Sequence, residues 1–224
     1  MSIKIAIDGP AGAGKSSISK EVAKRLGLVY VDTGAMYRAC GVYALENGIE
    51  ITDEEITPHL DKINIDISYE EDGQHIFLNG VDVSKRIREP DATIASSKIA
   101  VIPSVRLKLV ELQRKIANEK SVIMDGRDIG TYVLPDADFK IFLTASVAER
   151  AKRRYLEMKQ KGMQCEISKV IEDIEFRDKN DSEREFAPLR QAEDAILVDT
   201  SELSYEESCD VLYSMVKEKL DTER

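Results

Sequence analysis

Short apolar runs alternate with helical repeats along most of this chain, and that alternation predicts an α/β fold. Ile3–Ile7 is largely apolar and ends at Asp8. A glycine-rich stretch follows, then a helical pattern from about Lys15 to Leu26, closed by Gly27, a residue type suited to the left-handed position beyond a helix. Leu28–Val31 reads as a second strand. Strand, loop, helix, strand opens a βαβ unit with a parallel sheet. A helix is expected over 35–47, stopped by Gly48, and Thr52 with Glu55 has the spacing of a capping box.

The texture then changes. Asn64–Tyr69 and Gln74–Leu78 alternate between apolar and polar, Asp72-Gly73 reads as a turn, and Asn79-Gly80 is a hairpin signal. These predict a small antiparallel insert of about three strands. Pro90 and Pro103 bracket helical segments that run to about Asn118. Ser121–Met124, ending in Asp125, and Phe139–Leu143 read as further strands. Ser146 with Glu149 opens a basic helix through Arg150, Lys152, Arg153 and Arg154, and a charged helical region continues to about Asn180. Ile196–Val198 is the last expected strand, and Ser204 with Glu207 caps the last helix. No internal repeat is apparent.

Composition narrows the partners. With 224 residues, 42% of them hydrophobic, the chain can bury one sizeable core. A formal net charge of −10, without a basic tail, argues against binding duplex DNA or an anionic membrane surface. Anionic ligands must then be held by local arginines. Cys40, Cys165 and Cys209 form no CxxC pair, so no zinc site is expected. His59 and His75 read as solvated surface residues. No stretch reaches the roughly 18 apolar residues of a membrane span, and no secretory signal is apparent, so a cytoplasmic location is expected.

Gly9-Pro10-Ala11-Gly12-Ala13-Gly14-Lys15-Ser16 fits G-x-x-x-x-G-K-[ST] between a strand and a helix. Such a loop turns several backbone N–H groups toward one anion, and the helix N-terminus adds partial positive charge. Gly9–Ser17 is the expected ATP site, with Lys15 reaching the β- and γ-phosphates and the Ser16 hydroxyl in direct contact with Mg²⁺. No N-K-x-D guanine motif occurs; Asp178-Lys179-Asn180-Asp181 has the wrong order for one. A short chain with an early P-loop and arginine-rich segments suits a kinase acting on an already anionic acceptor, which needs charge neutralisation rather than a histidine base.

Four more segments read as a set with the P-loop: Asp32-Thr33-Gly34-Ala35-Met36-Tyr37-Arg38; Ser96-Ser97 with Arg106; Asp125-Gly126-Arg127-Asp128-Ile129-Gly130; and Arg177-Asp178 through Asp181, Arg184 and Pro188. Together they resemble the bacterial cytidylate kinase family over nearly the whole chain. The resemblance implies a P-loop NTPase three-layer fold with a parallel central sheet. It also implies three parts: a core at about 1–32, 106–153 and 167–224, an NMP-binding part carrying the β insert at about 33–105, and a short helical lid at about 154–166.

It implies ATP as donor, CMP or dCMP as acceptor, and Mg²⁺. Lys15, Arg127, Arg177 and Arg184 would be catalytic. Thr33 and Arg38 would contact the CMP phosphate, Arg127 would sit between that phosphate and the transferring group, and Arg184 would help bind the phosphate. Arg177 and Asp181 would hold CMP near its sugar, and Ser97, Arg106 and Asp128 would read the cytosine. A carboxylate suits that last task, since it accepts from the N4 amino group of cytosine and faces the O4 acceptor of uracil with like polarity. Asp125 would orient Mg²⁺-bound water or cap its loop. Thr33 stands where the family more often has Ser, and Ser16-Ser17 replaces a Gly-Thr ending; the spacing to Lys15 favours Ser16 as the metal contact.

Some residues keep two readings. Arg38 could be an ordinary surface residue, Arg150, Arg153 and Arg154 a solvated basic face, and Arg177 and Arg184 surface ion pairs. Two other functions are also open: a P-loop kinase for another acceptor, such as UMP or shikimate, and a nucleotide-binding switch module. A monomer is the default expectation.

Overall fold

A computed structural model describes residues 2–70, 73–160 and 162–222. Asp72 of the expected turn and Lys161 of the expected lid lie outside the described residues. The chain falls into two compact units. One comprises Ile3–Leu28 and the chain from Val122 onward; the other is Val29–Ser121.

The first unit is built on parallel strands. They are β1 (Lys4–Asp8), β6 (Val122–Gly126), β7 (Phe139–Thr144) and β8 (Ile196–Asp199), ordered β6-β1-β7-β8. β1 pairs with β6 from Lys4↔Val122 to Asp8↔Gly126, and β7 pairs with β8 from Ile141↔Ile196. β6 is buried at every position, which explains why its sequence reads as a continuous apolar run: a parallel strand covered on both faces has no polar side to present. Flanking helices are α1 (Lys15–Leu26), α6 (Val147–Gln160), α7 (Ile167–Glu183) and α8 (Tyr205–Thr222). One of the two expected capping boxes closes fully here, and the other forms only its serine half, the Ser146 N–H going to Ser201 Oγ instead. Ser146 Oγ accepts from the Glu149 N–H, and Ser204 and Glu207 cap each other reciprocally. The charged helical region expected to about Asn180 consists of two helices, α6 and α7.

In the second unit, β2 (Val29–Asp32) leads into α2 (Thr33–Glu46). α2 starts two residues earlier than the apolar pattern indicates because the Asp32 carboxylate caps it, accepting from the Ala35 N–H at 2.9 Å. The helix is buried almost all round, and its Met36, Ala39, Cys40 and Val42 lie at the centre of this unit's core. A single helical turn, α3 (Asp53–Ile56), starts at the Thr52 cap, where Thr52 Oγ accepts from the Glu55 N–H. The insert is a three-stranded antiparallel sheet, β3 (Ile65–Glu70), β4 (Gly73–Leu78) and β5 (Val81–Asp82). Asn79 and Gly80 both have positive φ, 51° and 82°, as a tight primed turn between β4 and β5 requires. α4 (Pro90–Ile99) and α5 (Pro103–Glu119) each begin at a proline, which fits the first helical position. Among the described residues, no helix is long and apolar enough to cross a membrane.

Candidate functional site

The glycine-rich loop of the first unit joins β1 to α1. Gly14 caps α1 with φ 89°, and no acidic residue of the helix itself occupies its first turn. Lys15 is only 5% exposed, and its Nζ donates to the Pro10 carbonyl at 2.7 Å, closing the loop around its own ammonium. Burial, followed by the charge of Arg127, brings the Lys15 pKa down to about 7, against the opposing pull of Asp125, Asp181 and Asp8. Gly9 has φ 148°, and a Cβ there would overlap the Leu143 carbonyl oxygen of β7. Gly9→Ala is therefore expected to cost about 1–3 kcal/mol, which thermal unfolding should show as a Tm lower by about 2–12 °C.

Beside the loop, Ser16 Oγ donates to Asp125 Oδ2 at 2.8 Å. A hydroxyl and a carboxylate are hard oxygen donors and fit a small hard cation. Among the described residues no group of three or more His, Cys, Asp or Glu side chains could hold a metal ion by itself. A cation with one or two protein contacts here would take its remaining oxygens from water and phosphate, as Mg²⁺ commonly does.

The Gly126–Gly130 segment continues from β6 into a π-helical turn at Ile129–Val133, in which the Asp128 carbonyl accepts from the Val133 N–H. Buried Asp8, at the end of β1, holds this turn by accepting from the N–H of Ile129 at 2.8 Å and of Gly130 at 2.7 Å. Burial raises the Asp8 pKa to about 6 even though those two amides pull it down. The turn carries Arg127 and Asp128, and both are ion-paired. Arg127 Nε donates to Asp181 Oδ2 at 2.7 Å, and Arg184 donates to Asp128 Oδ1 at 3.1 Å and to the Ala187 carbonyl at 2.7 Å. Burial is the largest influence on Arg127 and opposes its charge, but Asp181, Asp125 and Asp8 together outweigh it and the pKa is raised. Arg177, on α7, is half-buried. Burial lowers its pKa, helped by the positive charges of Arg154 and Arg127.

The basic face of α6 is not uniformly solvated. Arg150 is buried, and its guanidinium donates to the Ala145 carbonyl at 2.9 Å, the Ala11 carbonyl of the loop at 2.8 Å, and Asp178 Oδ2 at 2.6 Å. It braces the phosphate loop against α7. Arg153 donates to the Thr200 carbonyl at 2.6 Å, and Arg154 pairs with Glu157 on the same helix. A purely solvated face does not describe Arg150.

In the second unit, Thr33 is buried in the first turn of α2, and Arg38, one turn on, donates to Asp32 Oδ2 at 2.9 Å. Arg38 is not an ordinary surface residue, since its Nε is buried with no hydrogen-bond partner among the described residues. Arg106 is 1% exposed, donates to the Ala100 carbonyl at 2.9 Å and lies 5.4 Å from the centre of the Tyr37 ring. Ser97 is exposed on α4, its Oγ 3.4 Å from the Thr93 carbonyl.

The sequence alone assigns no role to Asp8 or Asp178. A carboxylate ending a largely apolar, buried strand needs buried donors, and that signal could have singled out Asp8. Arg150 was visible only as one of several basic residues.

A glycine-rich loop between a strand and a helix N-terminus, with the buried Lys15 ammonium closed into it and the charge of Arg127 acting on that ammonium, suits one kind of chemistry: this is a P-loop phosphotransferase. Comparison narrows the class. The chain belongs to the cytidylate kinase family, which matches it over residues 5–218. It is 50% identical over 223 residues to a cytidylate kinase of Caldicellulosiruptor bescii, covering 97% of this chain and 99% of that one. A cytidylate kinase of Lactobacillus johnsonii is 48% identical over 218 residues, covering 97% and 95%. Among solved structures, an uncharacterized protein from Eubacterium ventriosum has a TM-score of 0.54 at 14% identity, covering 96% of this chain and 98% of its own. A gluconokinase from Sinorhizobium meliloti has a TM-score of 0.50 at 12% identity, covering 99% and 97%. These last two likenesses speak to the fold alone.

Proposed function

We propose that this chain transfers the γ-phosphoryl of ATP to CMP or dCMP, giving ADP and CDP or dCDP. The observation that carries this is the arginine–carboxylate cluster Arg127–Asp181 and Arg184–Asp128 on the same unit as the phosphate loop. It supplies charge for a transferring phosphoryl group and, in Asp128, an acceptor suited to the N4 amino group of cytosine. The cytidylate kinases to which the chain is about half identical support the same reading.

An oxygen of the acceptor phosphate attacks the γ-phosphorus while the bond to the β-γ bridging oxygen breaks, leaving ADP. The acceptor is already an anion, so no base is required and the barrier is lowered by positioning and charge. The backbone of Gly9–Ser17 cradles the donor phosphates, and Lys15 neutralises charge at the β- and γ-oxygens. Arg127 flanks the transferring group, with Arg177 and Arg184 adding positive charge. Thr33 and Arg38 take the acceptor phosphate, Asp181 and Arg177 the sugar, and Ser97, Arg106 and Asp128 the base. Ser16, directly, and Asp125, through water, would hold Mg²⁺, which supplies Lewis-acid neutralisation of the phosphate charge when bound. Residues 154–166 serve as the lid that excludes water. ³¹P NMR of ATP, CMP, Mg²⁺ and the protein tests the reaction. ADP and CDP should appear in equal amounts; ADP with inorganic phosphate and no CDP would contradict it.

A further inference from the structure

The second unit contains an arginine that the roles above leave unused. Asp32 Oδ2 accepts from two guanidiniums, Arg38 at 2.9 Å and Arg88 at 3.2 Å. One carboxylate does not balance them. The trio carries a net charge of about +1, and two guanidiniums bring about ten N–H donors between them. Oδ1 of Asp32 is already engaged at the N-cap of α2. Arg38 keeps a buried Nε–H with no partner among the described residues, whereas the Arg88 side chain is 61% exposed. This surplus of positive charge gathers at Asp32, the N-cap of a 14-residue helix.

The fold places Arg88 deliberately. It ends a short 3₁₀ turn, Arg86–Arg88, directly after the β insert. Ile87, in the middle of the turn, is buried in the unit's core. Arg86 is used up on the other side: it forms a two-pronged pair with Asp91, both bonds 2.8 Å, and a further ion pair with Glu89. The insert fixes the turn from behind, since the Ile76 N–H of β4 donates to Ser84 Oγ and the Val83 N–H donates to the Ile76 carbonyl. The insert also reaches Asp32 itself, because Gln74 Oε1 accepts from the Asp32 N–H at 2.8 Å. Arg86 and Ile87 are thus anchors, and Arg88 is the residue left facing the Arg38 cluster.

We infer that Arg88 is a second binding residue for the acceptor phosphate, pairing with Arg38 on one phosphate group, and that the β insert serves to deliver it. Without ligand, the Asp32 carboxylate gathers both guanidiniums. A phosphate dianion, with three acceptor oxygens and up to two charges, engages the donors that Asp32 leaves unused. The inference rests on the reading of CMP as acceptor.

Arg88→Met and Arg88→Lys, titrated calorimetrically with CMP and with cytidine and assayed for KM, test it. Arg88→Met should weaken CMP binding and raise its KM by about tenfold, the scale of a charge-assisted hydrogen bond, while cytidine affinity, the KM for ATP and Tm stay within error. Arg88→Lys should restore part of the loss, because it keeps the charge without the planar fork. Unchanged CMP affinity in Arg88→Met, or equal weakening of CMP and cytidine, would overturn the inference. Failure of the wild-type protein to phosphorylate CMP would be a different result: it would remove the function on which the inference depends, and the inference with it.

Discussion

Replacing Lys15 by alanine is expected to lower kcat by about 10³-fold or more while changing CMP affinity little. Lys15 is the buried ammonium closed into the loop by the Pro10 carbonyl, and it belongs to the donor side of the reaction. An interaction made chiefly with the transferring phosphoryl is lost from the transition state, so the effect falls on kcat. Stability should move the other way. Burial holds the Lys15 pKa near 7, below its ordinary 10.5, so the folded state gives up a proton that the unfolded chain keeps between those values. That costs the fold stability at pH 7, where the folded group is partly discharged; the cost fades as pH rises to 10.5. Lys15→Ala should therefore not lower Tm at neutral pH. Steady-state kinetics, calorimetric CMP titration and thermal unfolding measure the three quantities. A variant retaining more than about a tenth of wild-type kcat would remove Lys15 from the chemistry.

Asp128→Ala is expected to narrow the preference for CMP over UMP, in kcat/KM, by about 10–100-fold, the scale of leaving a buried polar group unpaired. Asp128 is buried and is oriented by Arg184 at 3.1 Å, so its carboxylate is fixed rather than free to turn away from the wrong base. Removing it also releases Arg184, and turnover of CMP itself should fall. The ratio, rather than the rate, is the informative quantity. Asp128→Asn sharpens the comparison, since its amide can donate to the O4 acceptor of uracil and should favour UMP further. An unchanged ratio in both variants would assign base discrimination to other residues.

What could be read in the sequence was local. β1 and β6 announce themselves as apolar runs because they are covered on both faces. Asn79-Gly80 marks its turn because few residues other than glycine and asparagine accept positive φ readily. Thr52, Ser146 and Ser204 all cap helices with the expected partners three residues on. The phosphate loop could likewise be read from its spacing between a strand and a helix. What escaped depends on distant pairing. Asp8 holds amides 121 and 122 residues away, and Arg150 reaches the Ala11 carbonyl 139 residues away. No local period encodes either. The π-helical turn at Ile129–Val133 has its first two amides held by Asp8. Ala187, with φ 49° just before Pro188, is held by its carbonyl on Arg184. The roles of Arg127 and Asp128 came from family resemblance, and their spacing alone would not have supplied them.

The central claim is that the acceptor is a cytidine monophosphate. Its most direct test is coupled ADP release across CMP, dCMP, UMP, AMP and GMP with ATP and Mg²⁺ held constant. CMP and dCMP are expected to give the highest kcat/KM, with UMP, AMP and GMP well below them. A profile with no preference for the cytidine monophosphates would contradict the account.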